Sequence, residues 1–120
     1  MLIRSQDKTI IVNIDNAFSI AIQDINGATT IYVGSQGSCC IIAEYSTKEK
    51  VMKVLDMIQE AYMDFEASKI TSTGLATAAY TGSYDTPESV ACGIKALKGY
   101  AEIIKESVAF QMPADSEVEV

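Results

Sequence analysis

Tyr80 and Tyr84, together with Thr81, Ser83 and Thr86, form the group in this 120-residue chain whose residue types best suit holding a small molecule. Two flat aromatic faces four residues apart can stack on a ligand, and short hydroxyl side chains beside them supply adaptable hydrogen bonds. That is the chemistry of recognition, not of bond breaking. The surrounding stretch GLATAAYTGSYDTPES, residues 74–89, is otherwise rich in Gly, Ala and Thr, the composition of a flexible connector. A binding or oligomer-contact loop and a partly ordered connector are therefore both open. An anionic ligand also needs cations, and Arg4 and Lys95 are the candidates, Arg4 because its guanidinium can grip a phosphate with two parallel hydrogen bonds. The alternatives are a strand-edge place for Arg4 and a solvated helix face for Lys95. A net charge of −7 opposes an anion unless subunits pool their few cations at an interface.

Reaction chemistry is harder to find. The chain has no histidine, which removes Ser-His and Cys-His hydrolases and the commonest metal ligand. Glu60 and Asp64 lie four apart, a spacing that usually marks a solvated helix face. Cys39, Cys40 and Cys92 make an odd set that reads as small buried hydrophobes, with a vicinal redox pair at 39 and 40 as the alternative. A zinc site needs more ligands than these. No glycine pattern matches a phosphate-binding loop. The sequence thus leads to no catalytic residue, no metal and no cofactor. With Arg4 the only arginine, the charge balance argues against DNA or RNA as a partner, and no apolar run is long enough to span a bilayer.

The elements that must position these residues follow from periodicity. Ile10, Val12 and Ile14 alternate, as do Phe18, Ile20 and Ile22, and then Cys39, Ile41, Ala43 and Tyr45; each run reads as a half-buried antiparallel strand. Asn26-Gly27 is a two-residue hairpin turn. Strands are expected at roughly 1–6, 9–14, 18–24, 28–34 and 39–45. At STKE, Ser46 and Glu49 fit a capping box that starts a helix, and Val51, Val54, Leu55, Ile58, Tyr62 and Phe65 mark its buried stripe. Met52, Met57 and Met63 border that stripe and suit an adaptable contact surface. A loop is expected over 66–86. A second helix is expected over 87–106, capped by Thr86 with Pro87 in its first turn and with Val90, Ile94, Leu97, Ala101 and Ile104 on one face. VAFQM then reads as a closing strand. The fold class is α+β, an antiparallel meander of five to six strands with two amphipathic helices packed on it. Residues 1–113 form one domain, and 114–120 form an acidic flexible tail.

RSQDK at 4–8, YSTKEKVMKVLDMIQEAY at 45–62 and FQMPADSEVEV at 110–120 resemble a family of small uncharacterised proteins encoded by phages and prophages of Firmicutes. The likeness covers about a third of the chain and lies in fold determinants, so it transfers no active-site residue. In the shorter members the first helix leads quickly to the last strand, whereas this chain carries an additional segment over roughly 66–107. The resemblance implies a phage accessory protein in the host cytoplasm. Small proteins of that class often counter host defence by sequestering a nucleotide-type signal or binding a host defence protein. A homo-oligomer, most simply a twofold dimer, is expected; a structural or protein-interaction accessory with no small ligand is the other reading.

Overall fold

The computed structural model describes residues 1–35, 38–80 and 86–120. The chain divides into two units, one made of residues 1–61 and 109–120 and the other of 62–108. In chain order the elements are β1 (Leu2–Arg4), β2 (Ile11–Asn13), β3 (Ser19–Ile25), β4 (Ala28–Ser35), β5 (Ser38–Tyr45), α1 (Lys48–Tyr80), α2 (Pro87–Ser107) and β6 (Ala109–Gln111). The fold is α+β.

The expected single meander is corrected to two three-stranded sheets. Strands β3, β4 and β5 form an antiparallel meander, while β1 lies between β2 and β6. Closure by β6 is parallel, pairing Ile3 with Phe110. A parallel partner must come from far along the chain, so the local alternation that announces a strand at 109–111 carries no sign of its direction. The two sheets meet where the Gln6 N–H donates to the Ile42 carbonyl at 2.8 Å.

Asn26 and Gly27 have φ of 50° and 84°, the left-handed pair that matches a tight hairpin to the twist of its strands. Across the next ladder the register shifts: Tyr32 faces Ile41 but Ile31 faces Ala43, so Ile42 is an inserted residue. Such a bulge reverses the alternation. Ile42 is 2% exposed and Ile41 48% exposed, with Ala43 and Tyr45 buried on the far side of the insertion. The expectation that Cys39 and Ile41 share the buried face with Ala43 and Tyr45 fails for this reason.

The first turn of α1 also differs from expectation. Thr47, not Ser46, caps it: the Lys50 N–H donates to Thr47 Oγ1 at 3.3 Å. Val51, Val54 and Ile58 are buried with Ile31, Val33 and Ile42, each such side chain contributing about 1.5–3 kcal/mol. The segment after Met112 is not a frayed end. Asp115–Glu117 makes a 3-10 turn, Val118 is buried, and the Lys53 ammonium donates to the Glu119 carbonyl.

In the second unit α1 continues to Tyr80, fifteen residues into the expected loop. Ala-rich sequence favours a helix as readily as a linker, and the Thr73 hydroxyl is accommodated by donating to the Lys69 carbonyl at 2.7 Å. Phe65 is buried, and the Lys69 ammonium lies 5.2 Å from its ring centre. The start of α2 agrees with the sequence. The Ser89 N–H donates to Thr86 Oγ1 at 3.1 Å, the Thr86 N–H donates to Ser89 Oγ at 3.2 Å, and Pro87 opens the helix. No helix among the described residues is long and apolar enough to cross a membrane.

Candidate functional site

The expected ligand-binding residues divide between the two units. Tyr80 is the last residue of α1, so it belongs to a helix end and not to a long loop. Thr81, Ser83 and Tyr84 lie outside the described residues. Lys95 is exposed on α2, nine residues past the Thr86 cap, which is about 13 Å along a helix axis. Tyr80, Thr86 and Lys95 therefore share the second unit.

Arg4 is in the first unit, on β1. Its Nε donates to the Lys8 carbonyl at 3.2 Å, which ties the guanidinium to the turn between β1 and β2. That turn holds itself. Asp7 Oδ1 accepts from Ser5 Oγ at 2.6 Å, from the Thr9 N–H at 3.0 Å and from Thr9 Oγ1 at 2.7 Å. Lys8 takes a positive φ of 66° at its tip. Donation by Ser5 and Thr9 lowers the Asp7 carboxyl to about 2. These groups stabilise a turn, and the Arg4 side chain above it is exposed.

Glu60 and Asp64 are exposed on α1, on the pattern of a solvated face. No cluster of three or more metal-ligating side chains occurs among the described residues. The cysteines correct an expectation: Cys39 and Cys92 are exposed and Cys40 is half-buried, all as free thiols. Alternation along β5 sends neighbouring side chains to opposite faces, so Cys39 and Cys40 point apart.

Two grooves in the first unit had no counterpart in the sequence reading. One, of about 320 Å³, is lined by Ile10, Ile11, Val12, Ala17, Val33 and Cys40 among others. Its signal was available, because Ile11 interrupts an alternating strand with an apolar side chain that ends up 63% exposed. The other, of about 420 Å³, runs past the Asn26-Gly27 hairpin and is lined by Gly27, Ala28, Glu44, Tyr45, Ser46 and Asp115. Its Asp115 carboxylate is engaged in structure: Oδ1 accepts from the Ser46 N–H at 2.8 Å and Oδ2 from Lys50 Nζ at 3.2 Å. The Ser46 backbone N–H is the first cause of a lowered Asp115 carboxyl.

No family model, curated protein or solved structure matches the chain.

Proposed function

We propose that the protein is a non-enzymatic phage accessory protein that binds and sequesters a small nucleotide-type ligand, acting in the host cytoplasm to counter host defence. The observation that carries this reading is the position of Tyr80 at the end of α1, six residues before the Thr86 cap of α2. Six residues of chain reach at most about 22 Å. Thr81, Ser83 and Tyr84 follow Tyr80 in the sequence, and the second helix carries Lys95. Stacking faces, hydroxyl groups and a cation are the parts that a nucleotide needs from a protein.

Arg4 lies in the first unit, where its Nε donates to the Lys8 carbonyl. Phage origin rests on the sequence resemblance described above. A second reading, a protein-interaction accessory with no small ligand, is favoured by a different observation: α2 presents Val90, Ile94, Leu97 and Ile103 to solvent.

Native mass spectrometry of the protein with a panel of cyclic and ADP-ribose-derived nucleotides separates the two. Sequestration requires a mass increment equal to an intact nucleotide, loss of that increment in Tyr80→Ala and Tyr84→Ala, and release of the ligand unchanged on heating. A converted product would establish an enzyme, and no increment with any nucleotide would leave the protein-interaction reading.

A further inference from the structure

We infer that residues 62–108 are a dimerisation element in which α1 of one copy packs along α2 of a second copy. Along α1, Met63, Ala67, Ile70 and Gly74 recur at four-three-four spacing, and all four are exposed. Along α2, Val90, Ile94, Leu97, Ala101 and Ile104 recur at four-three-four-three spacing, and no residue of that helix is buried. Both are heptad seams, the repeat by which side chains of one helix insert between those of another. The α1 seam alternates large and small residues. Met63 and Ile70 supply knobs, and Ala67 and Gly74 leave room, with open space around the position a Gly74 side chain would take.

A stable helix of 21 residues with an amphipathic pattern is expected to bury its apolar face. Here the face continues past the seam to Ile103, so that apolar side chains take up about half of the helix circumference. That width suits a helix with more than one neighbour, as in a bundle. Met63 is 60% exposed, Ile70 73%, Val90 43%, Ile94 50% and Leu97 40%. At on the order of 100 Å² each, these five side chains supply roughly 500 Å², the larger part of the roughly 800 Å² that each partner contributes to a specific interface.

Charge identifies the occupant as a second copy. The α1 seam is flanked by Asp64 and Glu66, and the α2 seam by Lys98 and Lys105. Acidic borders on one seam match basic borders on the other, whereas α2 against α2 would set lysines against lysines in an antiparallel pair. Glu66 already meets Lys69 of its own helix at 3.5 Å, which leaves Asp64 as the main acidic border. Within one chain both seams remain exposed but for the half-buried Ile104, so the complementary faces are left to meet between chains. A twofold axis makes that contact twice and closes the assembly. This inference does not depend on the ligand reading, because it uses none of the residues proposed to hold a nucleotide.

Sedimentation velocity on the full chain, across the micromolar range, reads the outcome directly. A species of twice the 12.9 kDa chain mass is expected. Ile70→Glu and Leu97→Glu should each raise the dissociation constant by roughly a hundredfold. Both positions are exposed in the single chain, so unchanged far-UV circular dichroism at high dilution verifies folding. Lys98→Glu with Lys105→Glu should weaken association, and adding Asp64→Lys and Glu66→Lys should restore it. A wild-type chain that stays monomeric overturns the inference, as does an oligomer indifferent to the seam substitutions. Loss on the lysine changes without rescue overturns the pairing of α1 with α2.

Discussion

The Asp115 carboxylate accepts both the backbone N–H of Ser46, at 2.8 Å, and its hydroxyl, at 2.9 Å, and so anchors the C-terminal segment beside the start of α1. Lys50, one turn into the helix, closes the arrangement by donating to the Asp115 carbonyl at 2.7 Å. Residues that read as an acidic tail instead clamp the helix whose stripe fills the core of the first unit.

Acid should therefore loosen this clamp. The Asp115 carboxyl is held below its ordinary value of 3.8, first by the Ser46 backbone N–H. A group whose folded value is depressed contributes stability above its unfolded value and loses it as pH falls through the folded one. Urea midpoints measured downward from neutral pH should fall below about pH 4, and Asp115→Asn should flatten part of that fall. At neutral pH the variant should be less stable than wild type, because a neutral amide is a weaker acceptor for the Ser46 and Lys50 donors. Identical acid profiles for the two proteins would contradict the assignment.

The bulge at Ile42 separates two neighbours that strict alternation would rank the other way. Ile42→Ala should cost about 2–5 kcal/mol, as large-to-small changes at buried sites do, since Ile42 is 2% exposed. Ile41→Ala, at a side chain 48% exposed, should cost well under half as much. Chemical denaturation of the two variants decides it, and a larger cost at Ile41 would return the strand to an unbroken register.

What was legible in the sequence was local. The Asn26-Gly27 turn and the Thr86-Pro87 helix start depend on residues within a few positions of one another and are found as expected, and of the stripe from Val51 to Phe65, Val51, Val54, Ile58 and Phe65 are buried while Leu55 and Tyr62 are half-buried. What escaped depends on distant partners. The Ile42 bulge is tied to the Gln6 N–H, the direction of β6 to β1, and the role of Ser46 to Asp115. The helix from 66 to 80 escaped for another reason: Ala, Thr and Gly give nearly equal support to helix and linker, and the stripe that announced α1 ends at Phe65. The same ambiguity moved Tyr80 from an expected loop to a helix end.

Gly27 should tolerate substitution poorly, and for a backbone reason. Nothing lies within 4 Å of the position its side chain would take, yet its φ is +84°. Gly27→Ala should cost about 1 kcal/mol through strain alone. Asn26→Gly, at a residue with φ of 50°, should change stability by only a few tenths of a kcal/mol, because glycine enters that region freely at the expense of a more flexible unfolded chain. Thermal melts of both variants test this, and an Ala at 27 as stable as wild type would mean that the hairpin can change turn type without cost.

Tyr45 links the β5 end, the C-terminal segment and alkaline behaviour. Its side chain is buried, its hydroxyl donates to the Pro113 carbonyl at 2.9 Å, and burial, followed by the charges of Asp115 and Glu117, pushes its ionisation well above the usual 10.0. A group with a raised folded value keeps its contribution below the unfolded value and loses it as pH rises toward the folded one, so stability should decline above about pH 10. In an ultraviolet titration the Tyr45 phenol should ionise in step with unfolding. Tyr45→Phe keeps the ring in place and removes both the hydroxyl and its titration. It should cost about 1 kcal/mol at neutral pH for the lost hydrogen bond, a modest figure because the Pro113 carbonyl retains a second donor in Gln6 Nε2 at 3.2 Å. Above pH 10 the cost should shrink and then reverse. A constant difference between the two proteins across that range would show that the phenol reaches solvent before the sheet opens.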